Sequence, residues 1–313
     1  TINAPRQDVS HQLATVKGFK RFENFGKLSI QYDFQRNNRL EFDIRRGDDK
    51  NKAASDLQLD THTVLLDLES HLTDAITLKS GIMTRYQKNV ANPNTGVRRL
   101  IPDYQMYDFG MYFVVDYQWN EQLLLEAGAR YDHSYLNVFK FYRTSFWESR
   151  NYDQTFSGIV VEELENQILT NPQLNFNNGS ATLGANYTFG EDYKLFFNYS
   201  IASRAPNSSE LFSEGLHHSA SRIELGDLSF NSEIAHKVAL TFQRKNDLFS
   251  FNVNPYINTI TDFIVNEPVD VQQTLRGNFQ VWEYRQTNAQ LLGVDIDASF
   301  AFAENCRLNS QFS

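Results

Sequence analysis

Two adjacent histidines, His217 and His218, have the residue type and spacing that most directly point to chemistry in this chain. They lie in a long polar segment that follows a predicted strand at 193–201. Imidazole nitrogens suit zinc, copper and nickel, and a neighbouring pair supplies one or two ligands. A structural zinc site needs about four ligands, so the pair by itself does not define one. The alternative is that both imidazoles form hydrogen bonds that fix the shape of the segment.

Carboxylates on the polar faces of predicted strands are the second group with potential chemistry, and Glu126, Asp132 and Asp295 are examples. A catalytic role has no support from motifs, because the sequence contains no nucleophile elbow, phosphate-binding loop, HExxH or paired-cysteine motif. Charged side chains are the normal lining of a barrel lumen. We therefore expect no enzymatic activity and no cofactor. The single cysteine, Cys306, excludes an intramolecular disulfide and a cysteine-based metal cluster.

The elements that must position these residues are strands with alternating apolar and polar positions. Odd positions are apolar throughout 193–201 and again throughout 109–119, which predicts sheets with one apolar and one polar face. Roughly a dozen such strands occur, several of about 9–11 residues, the length that crosses a bilayer when tilted. Aromatic residues make up 14% of a chain whose mean hydropathy is only −0.49, as expected when apolar residues occupy alternate positions. The sequence predicts an all-β fold, an antiparallel transmembrane β-barrel.

The connections between these strands alternate in length, which also favours a membrane barrel. Short turns on one side and long loops on the other are typical of such barrels. A soluble β-sandwich also has alternating strands but does not explain this asymmetry. One helical turn is predicted near 160–169. The short turns are at 120–121, 190–192 and 245–247, and the long segments are 36–60, 87–107, 133–178, 203–233 and 259–280.

Charge and hydropathy exclude two classes of protein. The formal net charge is −9 and no basic stripe is present, so we expect no nucleic-acid partner. No run of about 18 apolar residues occurs, so the chain has no predicted transmembrane helix. The segment 1–14 lacks the basic and apolar pattern of a signal peptide.

Two motifs resemble the barrel of TonB-dependent outer-membrane receptors. In FFNYSIASRAPNSSELF, a strand ends in Arg-Ala-Pro and is followed by Glu-Leu-aromatic. In VWEYRQTNAQLLGVDIDASFAF, an aromatic strand precedes Asn-Ala and then a glycine followed by an acidic residue. The matching positions are Arg204, Ala205, Pro206, Glu210, Leu211, Phe212, Tyr284, Asn288, Ala289, Leu292, Gly293 and Asp295.

The resemblance implies a barrel of the 22-stranded type, roughly the size at which the lumen is plugged by a separate domain. It implies a location in the outer membrane of a Gram-negative bacterium, contact with membrane lipid, and nutrient uptake energised by the TonB complex. Residues 1–313 show no plug-like region and no TonB box, and the strands are too few. We therefore expect one barrel fragment without a plug, and contact with TonB through the missing plug. Arg204 is expected to pair with lumen carboxylates.

The resemblance also extends to candidate ligand residues. The loop EGLHHSASRIE is similar to a form found in receptors proposed to take up zinc and similar metals, in which Gly-x-His precedes small residues and a Glu. It makes His217, His218 and Glu224 candidate metal ligands, and Glu214 a further candidate for ligand binding.

A second candidate surface lies in the predicted loop 133–178. His133 stands at its start, and the loop carries many aromatic residues, including Tyr142 and Trp147. An exposed aromatic cluster marks a binding surface and stacks on flat organic ligands. The alternative is that these rings pack the loop against its neighbours.

From the resemblance, the expected ligand is a ferric siderophore or another small metal chelate. Direct uptake of a transition-metal ion is the second expectation, and a passive porin-like barrel is the third.

Overall fold

The computed structural model describes residues 5–23, 25–43, 49, 51–274 and 277–313. Residues 1–4, at the start of the segment tested for a signal peptide, lie outside this part of the chain. Three short α-helices occur in it: α1 (Thr144–Ser149), α2 (Tyr152–Thr155) and α3 (Ser208–Phe212). Within the described ranges, no helix has the length and apolar character needed to cross a membrane.

In the described part of the chain, sixteen strands form one extended sheet, where the alternating pattern predicts roughly a dozen. Their bounds are β1 Arg6–Phe22, β2 Gly26–Phe42, β3 Ser55–Thr73, β4 Ile76–Ala91, β5 Asp103–Gln118, β6 Leu123–Arg143, β7 Val160–Glu163, β8 Gln167–Thr170, β9 Gln173–Phe189, β10 Tyr193–Arg204, β11 Glu214–His217, β12 Arg222–Leu225, β13 Glu233–Arg244, β14 Phe249–Thr274, β15 Gly277–Ala303 and β16 Cys306–Phe312.

The sheet follows chain order, with two inserted strand pairs, β7–β8 and β11–β12. Strands β1 to β6 and then β9, β10 and β13 to β16 pair antiparallel with their neighbours, whereas β12 pairs parallel with β15. Among the described residues, β1 pairs only with β2 and β16 only with β15, so the sheet is open and forms part of a barrel. The prediction of an antiparallel membrane barrel is confirmed.

Most strands continue beyond the predicted loop boundaries. Strands β14 and β15 contain 26 and 27 residues and enclose most of the predicted loop 259–280. The alternating pattern fades there because some side chains of the outer hairpin, such as Ile264 and Val281, are buried while their neighbours meet water, so burial no longer follows odd and even positions. The predicted boundaries at 36, 60 and 133 are wrong for the same reason. Residues 44–48, 50, 275 and 276 of these segments lie outside the described ranges.

The predicted helical turn near 160–169 is also wrong. This segment forms the hairpin of β7 and β8, and β8 pairs with the end of β6. The neighbouring strand supplies hydrogen-bond partners to the backbone, and this tertiary pairing overrides the local helical pattern.

An aromatic belt crosses the apolar face of the sheet near its long-loop end. Phe34, His62, Tyr86, Tyr107 and Tyr135 lie opposite one another on successive strands from β2 to β6. Their neighbouring ring centroids are 4.9 to 6.3 Å apart. Aromatic side chains of this kind mark the boundary between lipid and water in membrane barrels.

A second set of aromatic residues lies near the short turns. On β5, Tyr107 belongs to the first belt and Tyr117 to the second, which places about ten residues between the belts, the span expected of a tilted membrane strand. The opposite, inner face carries ion pairs such as Lys79–Asp116 at 2.9 Å. The second belt contains Tyr117, Trp119, Tyr187, Phe189, Tyr193, Phe242, Phe249, Phe251 and Phe300.

A charge placed between the two belts should be costly. Phe113 lies on the outer face of β5 and is 51% exposed. Phe113→Arg is expected to lower the free energy of unfolding by about 2–4 kcal/mol, because arginine at the bilayer midplane loses its hydration. Gln105→Arg lies on the same face beyond Tyr107 and should cost about 0–1 kcal/mol. Urea unfolding of the intact receptor in lipid vesicles measures both, and equal costs would contradict this membrane position.

Candidate functional site

The candidate site is built by the segment 205–232, which we call the strap. It connects β10 to β13 and contains α3, β11 and β12. On one side β12 pairs with β15, and on the other His217 and Ser219 reach Glu41 on the inner face of β2. Since β2 and β15 lie near opposite edges of the sheet, the strap crosses the inner face at the long-loop end.

The first sequence motif starts the strap by fixing the direction of the chain after β10. Arg204 donates hydrogen bonds to Glu233 at 2.8 Å and to Glu210 at 3.0 Å, as expected for a pairing with carboxylates. Asn207 caps α3 by accepting from the backbone N–H of Glu210, and Glu210 accepts in return from the N–H of Asn207. This reciprocal capping box stabilises the first turn of a helix that is otherwise too short to persist.

The apolar residues of this motif anchor the strap in the hydrophobic core at the barrel mouth. Leu211 and Phe212 are fully buried there. At Gly226, an added Cβ would lie 2.6 Å from the carbonyl oxygen of Glu210, so only glycine fits where the returning chain passes α3. The buried members of this core are Leu136, Val138, Tyr142, Phe146, Trp147, Tyr152, Ile168, Leu211, Phe212, Leu228, Phe230 and Ile264.

The second motif shapes the β14–β15 hairpin behind the strap. An added Cβ at Gly293 would lie 2.7 Å from the phenol oxygen of Tyr256, so this glycine makes room for the ring. Asn288 accepts from the backbone N–H of Asp262 at 3.3 Å, where β14 bulges and Asp262 has a positive φ of 55°. Tyr284 packs against the core. The remaining motif residues lie at the start of the strap or within β15: Ala205, Pro206, Ala289, Leu292 and Asp295.

His217 joins the strap to β2 through two carboxylates. Its Nδ1 lies 2.9 Å from Glu224 and its Nε2 lies 3.6 Å from Glu41. The hydrogen bond to Glu224, followed by the contact with Glu41, raises the pKa of His217 to about 9, so the ring is an imidazolium at neutral pH. Burial acts to raise the pKa of Glu41, but His217 and then Arg39 outweigh it and lower this pKa to about 2.

The neighbouring His218 makes a separate contact, with its Nδ1 3.0 Å from Asp43. The structure therefore brings His217 and Glu224 together and directs His218 to another carboxylate. Both ring nitrogens of His217 face carboxylates on different sides, so these groups do not converge on a single point. Within the described ranges, no group of three or more His, Cys, Asp or Glu side chains is arranged to hold a metal ion.

Glu214, the fourth loop candidate, is the centre of a cationic cluster. Its carboxylate is fully buried and lies 2.7 Å from Arg98, 2.9 Å from Arg143 and 3.7 Å from Lys140. Arg98 comes from the loop between β4 and β5, whereas Lys140 and Arg143 belong to the end of β6. Glu214 thus fixes the start of β11 to two separate parts of the barrel wall.

The aromatic candidates occupy different places. Tyr142 and Trp147 are buried in the core at the mouth, with ring centroids 5.4 Å apart, so contact with a ligand requires this core to open. His133 lies on β6, because that strand continues to Arg143, and its Nδ1 is 2.9 Å from Asn177. Its position opposite Phe109 places it on the outer, lipid-facing side of the sheet. The ligand-binding roles of these residues remain predictions.

Sequence analysis missed the partners on the barrel wall. Glu41 and Asp43 are more than 170 positions from the histidines they contact, and Arg98 is 116 positions from Glu214. None belongs to a motif. For Glu41, the available signal was a charged residue at an inward position near the outer end of β2, and it was missed because the predicted strand ended at 35.

The contact of His217 should give the strap a defined pH dependence. Because the folded pKa is raised from 6.5 to about 9, its contribution is complete below pH 6.5 and is lost as the pH rises through 9. His217→Gln should weaken strap closure by about 2 kcal/mol at neutral pH, the scale of a charged hydrogen bond. Hydrogen-exchange protection at the amide of Ser219 measures this closure. If raising the pH through 9 reduced this protection equally in the wild type and in His217→Gln, the role of the His217 contact would be contradicted.

The comparisons agree with this architecture. The family model "TonB dependent receptor-like, beta-barrel" matches residues 6–313. Among curated proteins, the sequence comparison finds no match. Similar solved structures include the copper transporter OprC, with a TM-score of 0.72 at 14% identity, covering 99% of this chain and 47% of that chain.

Two further structures show the same fold. The Serratia marcescens hemophore receptor HasR, solved with its hemophore HasA and heme, has a TM-score of 0.63 at 13% identity, over 96% of this chain and 47% of HasR. The FrpB iron transporter from Neisseria meningitidis has a TM-score of 0.63 at 15% identity, over 96% of this chain and 43% of FrpB. The chain thus spans less than half the length of these structures.

The matched family consists of transport receptors in the outer membrane of Gram-negative bacteria. The match covers nearly the whole chain, and the open antiparallel sheet with its outer aromatic belts agrees with it. The chain therefore belongs to the TonB-dependent receptor family and represents part of its β-barrel.

Proposed function

We propose that this chain is part of an outer-membrane receptor that takes up a metal chelate, with a ferric siderophore as the leading ligand. The observation that carries this proposal is the strap, an ordered segment anchored by ion pairs across the polar inner face at the barrel mouth. A segment in this position meets any ligand that enters from outside. Capture and transfer require no covalent chemistry.

Energy for uptake comes, in this proposal, from the TonB complex acting through a plug domain carried elsewhere in the intact receptor. Family membership supports this partner and the location in the outer membrane of a Gram-negative bacterium. The outer aromatic belts support contact with membrane lipid.

The choice of a metal chelate rests on the similar structures. These proteins are named as a copper transporter, a hemophore receptor solved with its hemophore and heme, and an iron transporter. At 13–15% identity these likenesses show the fold alone, so the cargo needs its own test.

The test is uptake of radiolabelled iron from a panel of ferric siderophores by cells that express or lack the intact receptor. We expect uptake of at least one siderophore to require both the receptor and an intact TonB gene. Uptake that continues without TonB would point to a passive pore, and no receptor-dependent uptake from any siderophore would contradict the proposed cargo.

Direct uptake of a transition-metal ion is a second candidate, favoured by the 2.9 Å contact between His217 and Glu224. In this case His217, His218 and Glu224 would bind the ion once the strap has rearranged. Zinc titration of the intact receptor, compared with a variant in which both histidines are alanine, tests this role. His236→Ala is the control, because His236 contacts Tyr199 on the outer face. Unchanged zinc affinity in the double variant would exclude these ligands.

A further inference from the structure

The cluster around Glu214 has a surplus of positive charge. Arg98, Lys140 and Arg143 all lie within 3.7 Å of this one carboxylate, and among the described residues none of the three pairs with a second carboxylate, so two positive charges there lack a matching anion. The groups that act most strongly on Lys140 are Glu214 and the two guanidinium groups. Lys140 is buried, and a buried cation that shares its one carboxylate with two other cations is costly, so this surplus needs a physical explanation.

The cluster has a buried floor and an accessible rim. The side chain of Lys140 is 3% exposed and Glu214 is fully buried, whereas the side chains of Arg98 and Arg143 are 30% and 43% exposed. Burial, together with the nearby Arg98 and Arg143, lowers the pKa of Lys140 to about 8, although Glu214 acts in the opposite direction. A small anion could therefore reach the guanidinium groups of Arg98 and Arg143 from water. There it would also interact with the buried ammonium group of Lys140.

Unused hydrogen-bond donors accompany the charge surplus. Within the described ranges, the Nε of Arg98 and the hydroxyl groups of Tyr142 and Ser213 are buried without a partner. Tyr142 and Ser213 are almost completely buried, and Lys140 lies 5.1 Å from the centre of the Tyr142 ring. Buried donors without acceptors are rare in folded proteins because each costs about 1–3 kcal/mol.

We propose that Arg98, Lys140 and Arg143 bind a small oxyanion, a phosphate or a carboxylate, at the base of the strap. Guanidinium groups match the paired oxygens of both anions. The bound oxyanion neutralises the charge surplus and supplies acceptors for the nearby donors. Since Glu214 lies in the same cluster, the anion also strengthens the attachment of the strap to β6. The site goes beyond the proposed uptake function, because it requires no particular cargo.

Two sources of the oxyanion are distinguishable with the intact receptor purified without cargo. Thermal unfolding is measured as chloride is replaced by inorganic phosphate or by citrate at constant ionic strength and neutral pH. A saturable rise in Tm with phosphate identifies a free inorganic anion as the ligand. A saturable rise with citrate but not with phosphate identifies the carboxylate of an organic molecule.

Variants test whether these residues form the site. Arg143→Gln lies on the accessible rim and should fold, and we expect it to raise the half-saturating anion concentration at least about tenfold through loss of a charged contact. Lys140→Gln should have a similar effect if it folds. Lys79→Gln is the matched control, because Lys79 forms a simple pair with Asp116 on the same inner face, and it should retain the wild-type anion response.

The proposal is overturned if neither anion raises Tm in the wild-type receptor. It is also overturned if the anion response of Arg143→Gln equals that of the wild type and the Lys79→Gln control. Neither result depends on which chelate the receptor transports, so failure here is distinct from failure of the uptake proposal.

Discussion

Glu214→Gln is expected to detach the strap from the barrel wall. The substitution removes the carboxylate that Arg98, Lys140 and Arg143 share and leaves three cations close to each other. Removing one partner of a buried ion pair costs about 3–5 kcal/mol, because the other charge stays buried without compensation. This cost falls on closure of the strap, because β2 to β6 keep their own ladders of hydrogen bonds.

Hydrogen exchange of the strap amides in the intact receptor measures this effect. We expect protection in β11 and β12 to fall by at least about a hundredfold, since each 1.4 kcal/mol is a factor of ten. Glu267→Gln is the control, because its 3.1 Å pair with Arg285 is largely exposed and worth about 0–1 kcal/mol. Equal loss of protection in the two variants would show that Glu214 has no special role. Phosphate should partly restore protection in Glu214→Gln if the proposed oxyanion site exists.

Trp147→Ala should have an effect of similar size through packing rather than charge. Trp147 is 2% exposed, and its ring lies 5.4 Å from Tyr142 and 5.3 Å from Tyr152. Removing a buried aromatic ring of this size costs about 3–5 kcal/mol, because the neighbouring rings only partly fill the cavity.

The consequences should extend from this core to the strap. Tyr152 donates a hydrogen bond to Asp227, and Arg150 bridges Asp227 of the strap to Glu283 of β15. Loss of the ring should loosen α1 and α2 and, with them, this bridge. Proteolysis of the intact receptor within 144–172 and 205–232 measures the change. Trp147→Phe, which keeps most of the packing, should be cleaved much more slowly than Trp147→Ala, and equal cleavage would contradict the packing role.

Local sequence patterns predicted the membrane part of the fold because successive side chains along each strand face lipid and the polar interior in turn. Lipid contacts one face of β5 and polar side chains contact the other, so Met111 and Phe113 alternate with smaller or polar residues. Beyond the aromatic belt this contrast ends, and the outer half of β14 and the first residues of β15 were therefore predicted as loop.

The motifs identified the family, and the structure gives their residues physical roles. Arg204 and Glu210 direct the chain from β10 into α3, and Gly293 makes room for the ring of Tyr256. These are contacts within or between neighbouring segments, so short motifs capture them.

By itself, the sequence determined the antiparallel barrel, the family and the location of the polar loop with His217 and His218. Only the tertiary structure decided what those side chains contact. Glu41, Asp43, Arg98 and Lys140 come from distant strands and loops, and the closure of the strap brings them to the loop. Charge complementarity across the barrel mouth depends on three-dimensional proximity, which no local pattern of residue types encodes.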